Sequence, residues 1–288
     1  MSNHLIACLI VLQTSCNPGG SDSLQATITA EQLLAEIAAG KPVTYVDVTI
    51  QGDVNLAQES DAQLTPNTRL STVDVPLYFE RCQFTGKVSG FARNGDTTSL
   101  TRFAASVVFQ NCRFEDEVDL RGTTFDHHLS LNNSLFDKDV TLQAVKVGGD
   151  FRMEQAVFSG NLFLQEAIIR GVCWAKETHV LGQFSAQQVD FWQHAFFAGF
   201  AVQQYADFGL AHFRRSAFFE YGNYADRVNY SGTIFRHRAE WTKVRFAENV
   251  DMSNTWYAVK PIFSEMETNE PIIFTGARFD GGEPDIIR

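Results

Sequence analysis

The stretch CRFEDEVDLRGTTFDHHLSLNNSLFDKDVTLQAVKV, residues 112–147, decides the fold. Sampled every eleven residues from Phe114, it gives Phe125, Phe136 and Val147. The same step continues through Phe158, Ile169, Val180, Phe191, Val202, Phe213, Tyr224, Phe235, Phe246 and Tyr257, and all fourteen samples are large and apolar or aromatic. A second file starts six residues after the first: Leu120, Leu131, Leu142, Met153, Leu164, Ala175, Ala186, Phe197, Phe208, Phe219, Tyr230, Trp241, Met252. Two residues before each file lies a companion, small in one case (Cys112, Thr123, Ser134, Val145, Ala156, Ala167) and apolar in the other (Val118, Leu129, Val140, Phe151, Leu162, Cys173). The unit is small-x-big-x-x-x-apolar-x-big-x-x. Its phase reappears upstream at Val48, Ile50, Val54 and Leu56, and downstream at Ile272, Phe274, Ala277 and Phe279.

Eleven residues also make three α-helical turns, which would give a right-handed supercoil. That arrangement needs apolar residues three and four apart. Here the recurring spacing is i, i+2, the mark of extended chain. The 25 Phe, with many Val and Thr, favour strand as well. The pattern predicts an all-β solenoid in which each coil stacks on the last and buries ladders of like side chains.

Units such as Ala156-Val157-Phe158 and Ala167-Ile168-Ile169 resemble the pentapeptide-repeat proteins, over roughly Val46 to Phe279. The resemblance implies a right-handed, four-sided parallel β-helix with four units per coil. The sequence departs from the family pattern in using eleven residues per two units and Phe in place of most central Leu. Two elevens make a coil of about 22 residues, nine or ten coils in all, with some corners one residue longer. A three-sided β-helix is the alternative. The register breaks at Leu64–Ser71 and Ser89–Thr101, where loops are expected to protrude.

Ahead of the repeat, Thr29 and Gln32 have capping-box spacing, Ile28 and Leu33 suit a hydrophobic staple, and Gly40 sits where a helix-terminating Gly belongs. A short helix with the stripe Leu33, Leu34, Ile37 is expected to cover the open end. Further upstream, Leu5–Leu12 is an apolar run of eight, too short to span a bilayer but suited to a signal peptide. Cys16 after Ser15 resembles a bacterial lipoprotein processing site, which implies lipidation of Cys16 and attachment to the cell envelope, at the outer membrane or cell surface. The expected organisation is a signal peptide over 1–15, a tether over 16–27, the capping helix and lead-in over 28–45, the β-helix over 46–280 and a tail over 281–288.

On this fold, residues 22 apart share one outer column. Arg170, Trp192, Arg214 and Arg236 form a column suited to an anionic partner through cation–π and bidentate contacts, and Phe196 and Phe218 form another. The segment Leu210–Phe246 holds seven Lys or Arg and three acids, in a chain whose net charge is −11. A second column places Glu115 under Asp137 and Glu117 under Asp139; stacked like charges repel, and a hard cation such as Ca²⁺ would relieve them.

The seven His fall at scattered phases, and His127-His128 reads as a solvated pair. No phosphate loop, metal-ligand Cys spacing or nucleophile elbow is present, so no cofactor and no catalytic set is expected. Cys82, Cys112 and Cys173 fall at inward phases and are expected to act as small apolar side chains with no disulfide partner in reach. The acidic balance argues against a general nucleic-acid binder. The reading is a non-enzymatic, membrane-anchored scaffold or binding module with a protein or glycan partner. The alternative is a cytoplasmic acidic rod that imitates DNA and blocks a topoisomerase, and a polysaccharide-processing β-helix enzyme ranks below both.

Overall fold

The computed structural model describes residues 26–57 and 62–287. The chain winds into a four-sided parallel β-helix whose faces are four sheets of 11, 11, 9 and 12 strands. In chain order a coil crosses face 1 (Leu129–Ser130), face 2 (Leu135–Phe136), face 3 (Val140–Thr141) and face 4 (Lys146–Val147), then returns to face 1 at Phe151–Arg152. Parallel register at 22 residues holds throughout the regular part: Phe114 pairs with Phe136, Phe136 with Phe158, and Val140 with Leu162. Four separate sheets exclude the three-sided alternative.

All four predicted inward files are buried, and the aromatic members stack on one another. Phe84, Phe114, Phe136 and Phe158 follow at centroid spacings of 4.7, 4.6 and 4.7 Å with nearly parallel rings. Phe191, Phe213, Phe235, Tyr257 and Phe279 repeat this at 4.7 to 5.2 Å. These spacings match the distance between strands. A residue whose ring lies flat against its neighbours therefore fills one layer completely, which accounts for the heavy use of Phe.

The corners explain the odd repeat length. Where inward residues lie three apart, the corner residue is left-handed, as at Asn133, Gln155 and Glu177 after face 1 and Ala144, Glu166 and Gln188 after face 3. Where they lie four apart, the corner carries the additional residue, and side chains bind the backbone of the next coil. Asp139 Oδ1 accepts from Asn161 N at 2.8 Å, and Asn161 Oδ1 accepts from Gln183 N at 2.8 Å. On the other wide corner His128 Nδ1 accepts from Asp150 N, and Asp150 Oδ1 from Val172 N. His128 is thus a structural acceptor and not simply a solvated side chain.

The N-terminal helix α1 (Ala30–Ala38) has the predicted capping box, with Thr29 Oγ1 accepting from Gln32 N at 3.2 Å and Gln32 Oε1 from Thr29 N at 2.9 Å. Its C-terminus closes as a Schellman motif: Gly40 N donates to Ile37 O and Lys41 N to Glu36 O. Three differences from expectation concern the ends and the breaks. Ala26 and Thr27, assigned to the tether, belong to a strand, Ala26–Thr29, that pairs with Val48–Gln51. The tail adds the strand Ile286–Ile287 alongside Ile262–Ser264. With these layers the solenoid has about eleven turns. The register breaks are ordered hairpins rather than loops: Ala62–Thr65 with Thr68–Val73, and Phe91–Asn94 with Thr97–Phe103, the long strands of which pair in parallel.

Candidate functional site

The outer side of face 4 carries the predicted basic column. Because Ile168, Asp190, His212 and Ile234 pair successively, the residues two positions on (Arg170, Trp192, Arg214, Arg236) occupy consecutive coils. Trp192 lies between two guanidinium groups, Arg170 at 5.4 Å and Arg214 at 4.4 Å from its ring centroid. Higher on the same face Trp256 lies between Arg236 at 5.9 Å and Arg278 at 5.8 Å. Face 4 therefore carries two Arg–Trp–Arg sandwiches, the first along the predicted column and the second running from Arg236 to Trp256 and Arg278 in the adjacent file, above Ile234.

Each sandwich holds one neutralised arginine. Arg214 donates to both oxygens of Asp190 at 2.7 and 2.8 Å, and Trp192 Nε1 donates to the same carboxylate at 2.9 Å. Arg278 repeats this on Asp280 at 2.6 and 3.0 Å, with Trp256 Nε1 at 2.9 Å. The Arg278 guanidinium and the Trp256 indole beside Asp280 hold its carboxyl below the usual carboxylate range. Arg170 and Arg236 have no carboxylate within ion-pair distance among the described residues; Arg236 Nε instead donates to His212 Nε2 at 2.7 Å. That bond requires neutral His212, whose Nδ1 faces Asp190 at 3.7 Å. Burial and the neighbouring Arg214 lower the His212 pKa. The two unneutralised arginines are three coils apart, about 14 Å at strand spacing.

Sequence reasoning found Arg170, Trp192, Arg214 and Arg236 but missed Asp190, His212, Trp256, Arg278 and Asp280. A spacing of 24, one coil plus two, links Asp190 to Arg214, His212 to Arg236 and Trp256 to Asp280, as it links Arg102 to Asp126 and Arg113 to Asp137. Trp256, by contrast, lies 20 residues from Arg236, and Arg278 only two from Asp280. The basic segment Leu210–Phe246 is not one patch: Arg227 lies beside Tyr205 near face 3, Arg245 on face 2 and Arg238 over Phe218 on face 1. The Phe196–Phe218 column holds, with rings 5.1 Å apart, and Trp174 extends it at 4.6 Å under Lys176 and Arg152.

The acidic column is differently occupied. Glu115 accepts from Gln83 Nε2, Glu117 pairs with Lys87 at 3.1 Å, Asp137 with Arg113 at 2.9 Å, and Asp139 caps Asn161. Each carboxylate has its own partner, and among the described residues no group of three or more His, Cys, Asp or Glu could hold a metal ion. A groove of about 500 Å³ between α1 and the first coils, lined in part by Leu34, Ile37, Leu56 and Asp74, had no sequence signal. Cys16 and the apolar run Leu5–Leu12 lie outside the described residues. Among the described residues no helix is long and apolar enough to cross a membrane. No protein-family model matches the chain, and no curated protein matches it.

Proposed function

We propose that the chain is a non-enzymatic β-helical binding module of pentapeptide-repeat type, lipid-anchored to the cell envelope through Cys16, whose fourth face takes an extended anionic partner such as an acidic glycan. The observation that carries the binding reading is the pair Arg170 and Arg236. Each is held against a Trp ring while its charge is left uncompensated, in a chain of net charge −11. A rigid stack of coils fixes their separation, so a polymer with repeated charges gains two contacts without ordering the protein.

Retention on beads carrying a carboxylated or sulfated glycan, compared with a neutral one, tests this. Charged hydrogen bonds are worth about 1.5–3 kcal/mol each, so Arg170→Glu with Arg236→Glu is expected to weaken retention by about tenfold or more. Added salt should weaken wild-type retention by screening. Retention unchanged by the double variant overturns the reading. For the anchor, labelling with a fatty-acid analogue is expected in the wild type and lost in Cys16→Ala.

A further inference from the structure

Two thiols expected to be isolated turn out to be neighbours. Gln83 pairs with Arg113 and Phe84 with Phe114 in parallel register, so Cys82 and Cys112, one residue earlier on each strand, occupy the same position on adjacent coils. Both are about 2% exposed, at the head of the small-residue file that continues with Ser134. A Cα separation of one strand spacing, about 4.8 Å, falls within the range of about 4.4–6.8 Å over which a disulfide closes. Each sulfur also lies 3.4 Å from a carbonyl oxygen, Cys82 Sγ from Tyr45 O and Cys112 Sγ from Phe79 O, which aligns both along the wall. The proximity of the two thiols lowers the pKa of Cys82 and, with burial, raises that of Cys112. Cys173 lies on face 1, paired with Phe151 and Ala195, with no cysteine on either adjacent coil.

We propose that Cys82 and Cys112 form a disulfide that staples two adjacent coils near the N-terminal end, with a small-molecule disulfide such as oxidised glutathione as the oxidant. The Cys82 thiolate attacks one sulfur of the oxidant, forming a mixed disulfide and releasing one thiol. Cys112, after losing its proton to solvent, attacks Cys82 Sγ and expels the second thiol. The two protein thiols lose two electrons and two protons, and the oxidant becomes two thiols. Because both sulfurs are buried, exchange takes place while these coils are open, during folding or fraying from the near end, as a stack of nearest-neighbour contacts allows. The closed loop contains the hairpin Phe91–Asn94 and Thr97–Phe103, so the staple fixes the base of that protrusion. The inference stands independently of the anionic partner and of Cys16.

The full chain is refolded in oxidised or reduced glutathione, denatured, alkylated with N-ethylmaleimide and peptide-mapped. After oxidation, the peptides containing Cys82 and Cys112 should be joined until reductant is added, while Cys173 is alkylated under both conditions. The oxidised wild type should melt several degrees above the reduced form, a difference absent from Cys112→Ser. If that variant does not fold, Cys82→Ala supplies the same comparison, and the wild-type peptide map alone also decides. Alkylation of both Cys82 and Cys112 after oxidative refolding to the native β-signal, or linkage of either to another cysteine, overturns the proposal.

Discussion

An inward phenyl ring in this solenoid touches its own kind one strand spacing above and below, so a single side chain supports three layers. Phe136 is the clearest case, stacked on Phe114 and Phe158 and about 1% exposed. Phe136→Ala should cost about 3–5 kcal/mol, from lost transfer energy and the cavity left between rigid neighbours, as measured by denaturant unfolding. At the wide corner, a Cβ on Gly171 would lie 2.3 Å from the Gly149 backbone, which cannot move without displacing a coil. Gly171→Ala should therefore destabilise by about 1–3 kcal/mol. His212 gives a pH dependence of defined sign. Its folded pKa lies below the ordinary 6.5, so below that pH the unfolded chain takes up a proton that the folded chain resists. Stability is expected to fall as pH drops from about 6.5 towards the folded pKa, and to level off below it. His212→Gln should flatten this part of the profile in thermal melts at stepped pH.

At the scale of elements, two-residue strands cannot satisfy a corner by themselves. The wide corner leaves a backbone N–H without a carbonyl on the next coil, and Asp139, Asn161, His128 and Asp150 supply the acceptor in its place. Asn161→Ala removes the acceptor for Gln183 N, and should cost about 0.5–1.5 kcal/mol, the net worth of a hydrogen bond at an exposed corner, read by denaturant titration. Glu115, Glu117, Asp137 and Asp139, read from sequence as a repulsive stack, each meet a partner instead: a side chain for the first three and the Asn161 corner for Asp139. Column arithmetic at 22 residues gave their alignment. Their partners lie at other offsets: Gln83 to Glu115, Lys87 to Glu117, and Arg113 to Asp137. Asp190, 24 residues from Arg214, and Asp280, two from Arg278, likewise escape a count of 22. Helix α1 was legible in full because capping is a local matter, settled by Thr29, Gln32 and Gly40 within a dozen residues.

For the whole molecule, stability is close to a sum over coils and the contacts between successive coils. Helix α1 covers one end with Ala30 and Leu33 buried. Deleting residues 26–42 should uncover the first coil and produce end-to-end association, seen as a concentration-dependent rise in mass by light scattering. An unchanged mass would show that the helix is dispensable as a cap. The fold class, the coil length and the inward files were determined by the sequence itself, because burial in a stacked coil imposes a side-chain period that survives in the order of residues. The adjacency of Cys82 and Cys112, the second Arg–Trp–Arg sandwich of Arg236, Trp256 and Arg278, the stacked hairpins and the strands at both ends were decided only in three dimensions. Those contacts join residues across insertions of irregular length or along diagonals of the wall, where no fixed period records which side chains meet.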